Sequence, residues 1–283
     1  MNIMKLRPMF YLVSLFLLVF SIFSINKWGF KIGLDFGGGT VWEFKSEKIK
    51  KEDINNTFEK KGLGLPIISE NEGNFVIKSE YIEVDKGREL KDELGDIDEG
   101  FEELRFASMG PSLGKELMQK TIMAIALSTL AVLIFVAKRF GDWGFGMAAI
   151  LAMLHDTVIL VGGFSVLGHF FGAELDALFV TAVLTTLSAS VHDTVVTFDR
   201  VRELRRSDYK SSWVDLANRA VSETLVRSIN NSVTIIIMLV SLALLGGEST
   251  RWFAVALLIG AVSGTYSSMG VAVPLVLLFK RKS

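Results

Sequence analysis

The sequence contains no cysteine, which excludes disulfides, thiolate-held metals and cysteine nucleophiles. It also lacks a dominant charge: 30 basic residues against 31 acidic ones leave a formal net charge of −1, and nothing in that balance points to a nucleic-acid partner. No glycine-rich loop is followed by Lys and Ser or Thr, so there is no Walker-type ATP site, and no His-Glu-x-x-His pair offers a metalloprotease centre. On these grounds no cofactor or metal is expected. What the chain has in abundance is apolar residues: 50% of its 283 positions are hydrophobic, mean hydropathy is +0.42, and the apolar residues come in blocks. Blocks of about 20 such residues cross a bilayer, so this is a membrane-protein profile.

Six windows are long enough to span: Pro8 to Asn26, Lys120 to Ala137, Trp143 to Leu167, Leu175 to Phe198, Ile229 to Leu245 and Trp252 to Phe279. The first has basic flanks at Lys5 and Arg7, as a signal peptide would. It is too long for one and no small-residue cleavage site follows, so it reads as a retained helix. Six spans put both termini on one side. Lys5, Arg7, Lys138, Arg139, the Arg-rich segment from Arg200 to Arg227, and Lys280, Arg281 and Lys282 all fall on that side, which the positive-inside rule makes the cytoplasm. The other side receives two tight connections, "GHFFGAEL" and "GGESTR", and a long insertion between the first two spans. The expected organisation is a first helix over residues 1–27, an extracytoplasmic α+β domain over 28–118, and a five-helix transmembrane domain over 119–283 with a cytoplasmic amphipathic segment at about 200–226.

Within the insertion, "GGTVWEFKS" is β-rich, and "SEKIKKEDINNTFEKKG" predicts a polar helix opened by Ser46 and ended by Gly62. "LPIISENEGNFVIKSEYI" predicts two strands joined by the turn "ENEGN", "DKGRELKDELGD" a second short helix and "GFEELRFASMG" a last strand. The order β, α, β, β, α, β points to two helices on one face of a sheet. "GLDFGGGT" leads into a strand rather than a helix, so Gly37, Gly38 and Gly39 read as a hinge between the first span and this domain, not as a phosphate loop.

The strongest internal signal is a repeat: His-Asp-Thr-Val occurs at residues 155–158 and again at 192–195, on consecutive spans. A carboxylate in hydrocarbon is costly, so Asp156 and Asp193 are functional candidates, with His192 beside the second. Asp156 falls near mid-membrane and Asp193 nearer the cytoplasmic end. Arg227, entering span five in "TLVRSINNSVT", is expected at the depth of Asp193. An acid and an arginine that meet and part in a low dielectric release and bind a proton, which lets a gradient drive movement at roughly 2.3 kcal/mol per charge per 100 mV. Gly260 and Gly264, with Ser263 between them, predict close helix packing, and Asp199 and Arg200 an interfacial role.

Taken together, "GLDFGGGT", "GPSLGKEL", "LHDTVIL", "VHDTVVTFDRVRE", "TLVRSINNS" and "GTYSSM", in this order, resemble the SecF family of protein-export membrane subunits, and more broadly one half of a resistance-nodulation-division type transporter. The resemblance implies a ferredoxin-like exported domain and a non-enzymatic subunit that pairs with SecD and associates with the SecYEG channel. Such a subunit uses the proton-motive force to pull preproteins out late in their passage across the cytoplasmic membrane. It places the family's essential acid and arginine on Asp193 and Arg227. The chain departs from the family at His192, where asparagine is usual. Two readings stand beside this one: a proton-driven exporter built from two copies of this chain, and an aspartyl intramembrane protease, whose Gly-x-Gly-Asp approach is missing around both acids.

Overall fold

The computed structural model describes residues 3–71, 73–98 and 100–280. Glu72 of the "ENEGN" turn and Arg281 and Lys282 of the basic C-terminal flank lie outside the described residues. In chain order the elements are α1 (Arg7–Trp28), β1 (Gly39–Lys45), α2 (Lys51–Lys60), β2 (Ile67–Asn71), β3 (Asn74–Ser79), α3 (Val84–Gly95), β4 (Glu102–Met109), α4 (Pro111–Phe140), α5 (Trp143–Phe171), α6 (Ala177–Ser207), α7 (Trp213–Leu245), α8 (Glu248–Ser267) and α9 (Val273–Lys280). The chain forms two compact units, one of Met1–Lys31 with Met123–Ser283, the other of Ile32–Ile122.

The smaller unit is a four-stranded antiparallel sheet in the order β4-β1-β3-β2, the ferredoxin-like arrangement. Alternation along β1 sends Thr40, Trp42 and Phe44 inward. Trp42 and Phe44 meet Phe75 and Ile77 of β3, Ile54 and Phe58 of α2, and Leu90 and Leu94 of α3 in one apolar core. Ser46 does not open α2, as the sequence led us to expect. Its hydroxyl donates to Asp98 Oδ2 at 2.6 Å and accepts from the Ile49 amide, while α2 begins at Lys51, where Asp53 accepts from the Lys50 amide. Asp98 also accepts from the amides of Gly100, Glu47 and Lys48, so a buried carboxylate staples two loops.

Gly37, Gly38 and Gly39, read from the sequence as a hinge, have a defined local geometry. They end a single helical turn, Leu34–Gly37, and start β1 with φ of +72° at Gly38 and +117° at Gly39. A Cβ on Gly39 would lie 2.8 Å from the Ser79 carbonyl oxygen, and one on Gly38 would lie 3.0 Å from Pro111 Cα. Positive φ and close backbone approach demand glycine at Gly38 and Gly39, whereas a Cβ on Gly37 would meet nothing nearer than Ile32 at 3.5 Å.

Among the described residues six helices are long and apolar enough to cross a membrane: Ile3–Trp28, Pro111–Phe140, Trp143–Phe171, Ala177–Ser207, Trp213–Leu245 and Thr250–Lys280. The sequence signs their ends. Asp142 caps α5 by accepting from the Gly144 amide, and Asp176 caps α6 by accepting from Phe179. Gly172 closes α5 in the left-handed conformation with φ +80°. The last span is not one continuous α-helix. A π-turn over Ser268–Ala272 separates α8 from α9, because Pro274 has no N–H and its ring conflicts with the carbonyl four residues back.

The segment at about 200–226 is not a separate amphipathic helix lying in the interface. Its first part extends α6 to Ser207. The rest is the opening of α7, capped by Ser212, and runs unbroken through Arg227 to Leu245 because no glycine, proline or cap interrupts it. Leu216, Ala217, Ala220 and Val221 are fully buried against the helices of their own unit rather than facing lipid.

Helix α8 packs against α5, α6 and α7, and α1 packs against α5. Burial is uneven: 61% of the apolar window of the last span and 44% of those of α5 and α6 are buried, against 11% for α7 and 6% for α4. The apolar sides of α4 and α7 therefore remain open to lipid or to another protein. On α1, Ser24 donates to the Gly162 carbonyl at 2.9 Å, and a Cβ on Gly162 would fall 2.5 Å from Ser21 Cα, so these two backbones are nearly in contact.

Candidate functional site

The two copies of His-Asp-Thr-Val sit on α5 and α6, and the structure gives them different surroundings. Asp156, on α5, is 1% exposed and accepts from four groups. Ser263 Oγ of α8 at 2.6 Å and His155 Nδ1 at 3.0 Å meet Oδ1; Ser190 Oγ of α6 at 2.6 Å and Ser267 Oγ of α8 meet Oδ2. Four donors fill the capacity of a carboxylate's two oxygens. His155 is itself buried, and its Nε2 has no partner among the described residues.

Asp193 lies one helical turn beyond Ser190 and faces a groove of about 810 Å³ between α6, α7 and α8. Its wall carries the hydroxyl residues Thr185, Ser188, Ser232 and Thr265 together with the apolar Ile235, Met238 and Leu257. The carboxylate of Asp193 is half-buried and makes no hydrogen bond or ion pair among the described residues. His192 is exposed and lines both this groove and a smaller one of about 360 Å³ beside α4.

Arg227 does not meet Asp193. It is exposed and lines a separate polar cavity of about 550 Å³ with Val196, Asp199, Arg200, Glu203, Glu223 and Thr224. Val196 lies one turn beyond Asp193 on α6, so the cavity that Arg227 lines reaches the turn of α6 that follows the acid. The neighbouring charges are mostly spoken for: Arg200 pairs with Glu223 and Glu203, and Asp199 with Arg139 and Arg202. These exposed pairs tie the ends of α4, α6 and α7 together, each contributing little in stability.

Gly260 brings α8 against α6, where a Cβ would fall 2.1 Å from Thr186 Oγ1. Gly264 is looser, with its nearest neighbour, Ser190 Cα, at 3.6 Å. Ser263, expected only to pack, is an Asp156 ligand, and Ser190 and Ser267 were missed as such. The available signal was the spacing of Ser263 and Ser267, four apart and so on one helix face, within an otherwise apolar span. Nothing in a single sequence told which acid they served.

Residues 89–282 match the family model described as protein export membrane protein SecD/SecF, C-terminal. This chain belongs to the SecD/SecF family. Among curated relatives, the protein translocase subunit SecF of Thermobaculum terrenum is 37% identical, with 95% of this chain and 90% of that one aligned. The SecF of Haemophilus influenzae is 34% identical over 95% of this chain and 83% of its own. Among solved structures, SecDF from Thermus thermophilus, described as a translocon-associated membrane protein, superposes with a TM-score of 0.83 at 30% identity. A SecDF structure in a super-membrane-facing form gives 0.72, also at 30% identity. The chain is covered almost completely in both, yet spans only 39% of the SecDF chain. It is a multi-pass membrane protein of a protein-export family.

Proposed function

We propose that this chain is the SecF half of a proton-driven motor that works with a SecD partner on the Sec channel to move preproteins through the late stage of export. Both termini lie in the cytoplasm, and the Ile32–Ile122 unit lies on the far side of the cytoplasmic membrane. Asp193 carries the exchanged proton and Arg227 is the counter-charge that closes on it in another state of the cycle. Asp156 belongs to the same polar region, and His192, beside the acid, can accept a proton and so alter the pH response of this member. One observation carries this reading: among the described residues, a carboxylate inside a membrane helix faces an open groove with no hydrogen-bond partner, while Arg227 of α7 lines a neighbouring cavity that reaches Val196, one turn further along α6. An unpartnered acid at membrane depth is a functional site by default. The open groove and the 39% coverage of SecDF support a partner that completes it.

The test is release of a preprotein stalled late in translocation, in vesicles holding this protein and a SecD partner, with and without a proton gradient. The gradient should accelerate release in the wild type and not in Asp193→Asn, which should still co-purify with the partner. Equal acceleration in both would refute the assignment of Asp193.

A further inference from the structure

The proposed cycle uses Asp193, but the best-held polar group in the membrane unit is Asp156. It joins three helices at one point. Its own helix α5 supplies the acid and His155; α6 supplies Ser190; α8 supplies Ser263 and Ser267. The groove that Asp193 faces does not have Asp156 on its wall, and Asp156 is 1% exposed. A group so enclosed is poorly placed to trade protons with water but well placed to fix helices.

Ser190 and Asp193 are three residues apart on α6, hence about 60° apart around the helix and one turn apart along it. Fixing Ser190 therefore fixes the rotation of α6 that turns Asp193 toward the groove. Gly264 keeps the junction compact, since its α-carbon faces both the Ser190 backbone, 3.6 Å from where a Cβ would stand, and Asp156 Oδ2 at 3.8 Å. Ser267, the last donor, sits at the start of the π-turn, so the same carboxyl also holds the point where the last span changes its winding.

We propose that Asp156 is a positioning residue: by gathering Ser190, Ser263 and Ser267 it sets the rotation of α6 against α8, and thereby the presentation of Asp193 to the groove. This rests on Asp193 being the proton carrier. A proton carrier and a positioning residue respond differently to an isostere. Hydroxyls both donate and accept, so an asparagine at 156 can accept from Ser263 and His155 and donate to Ser190 and Ser267. It keeps the junction and loses the titration.

The experiment pairs two measurements on Asp156→Asn, Asp156→Leu, Ser190→Ala and Asp193→Asn. The first is gradient-stimulated release of the stalled preprotein, with the partner present. The second is the rate at which a thiol reagent labels Ser188→Cys, introduced separately into each variant; the absence of native cysteine makes that thiol a clean reporter of the face of α6 beside the groove. Stimulation should track labelling across the position-156 and position-190 variants. Asp156→Asn should keep both within about twofold of wild type, and Asp156→Leu should lose stimulation by tenfold or more with a shifted labelling rate. If any of these three loses stimulation while its labelling stays wild type, or keeps it while labelling shifts, the positioning role is overturned. Wild-type behaviour of both measurements in Asp156→Leu overturns it too. Asp193→Asn judges the parent reading separately: it should lose stimulation with unchanged labelling, and retained stimulation would sink the proton assignment without touching the labelling result.

Discussion

The same four residues, His-Asp-Thr-Val, make a sealed joint on α5 and an open site on α6. At the first, His155 and Asp156 are buried and the carboxyl has four donors; at the second, His192 is exposed and the Asp193 carboxylate has none among the described residues. Even the threonines differ: Thr157 bonds back to the Met153 carbonyl, while the Thr194 hydroxyl is buried without a partner among the described residues. Chemistry at a membrane acid is thus decided by what neighbouring helices bring to it. Here α8 brings two serines to the α5 acid, whereas on the Asp193 side of α6 it lines the groove with Leu257, Gly260, Ala261, Gly264 and Thr265 and, among the described residues, donates no hydrogen bond to the acid.

The contrast predicts a ranked set of effects. The largest is on stability at the sealed joint. Asp156→Leu strands up to four donors at about 1–3 kcal/mol each where they find no other acceptor, so a loss of about 3 kcal/mol or more is expected in thermal unfolding in detergent. Asp193→Leu should change stability by less than about 1 kcal/mol, since its acid has no bond to lose. Equal losses at both would erase the distinction.

Next come the close approaches. Gly162→Ala presses a methyl onto the α1 backbone, and Gly260→Ala presses one onto the buried, β-branched Thr186, whose own Cβ would lie 2.9 Å away, so each should cost about 2–3 kcal/mol. Gly264→Ala, with 3.6 Å of room, should be neutral or slightly stabilising because alanine is the better helix former. The separation of the Gly264→Ala midpoint from the other two checks the packing around both acids.

The smallest effect is a pH response in the Ile32–Ile122 unit, where the buried Asp98 can be compared with the two acids of the helical unit. The Ser46 hydroxyl foremost, then the Gly100, Lys48 and Glu47 amides, hold Asp98 down from the usual 3.8 to about 2. A depressed carboxylate stabilises the fold above its unfolded value, so this contribution is complete above pH 3.8 and fades as pH falls through about 2. Hydrogen exchange at the Glu47, Lys48 and Gly100 amides should quicken across that window in the wild type, and Asp98→Asn should flatten the response.

Much of this was legible in the chain. Apolar blocks located six spans, alternation and turn residues located the four strands and two helices, and the repeated tetrapeptide picked out both acids. Three things were not legible. Helix continuity through Arg227 was hidden because charged residues there looked like an interface, whereas their apolar neighbours Leu216 and Val221 bury against helices distant in sequence. The need for glycine at Gly38 and Gly39 depended on Pro111 and Ser79, which the fold alone brings near. The inequality of Asp156 and Asp193 depended on Ser263 and Ser267, more than a hundred residues from Asp156. Each failure is a long-range contact overriding a local pattern.

The most direct measurement is the site of modification by an apolar carbodiimide, which reacts with protonated carboxyls in membrane interiors. Applied to the intact complex across a pH series and read by peptide mass, it should modify Asp193, less so as pH rises, and leave Asp156 untouched. Modification of Asp156 with Asp193 spared, or a pH-independent yield at Asp193, would contradict the account of an open, proton-exchanging acid beside a sealed one.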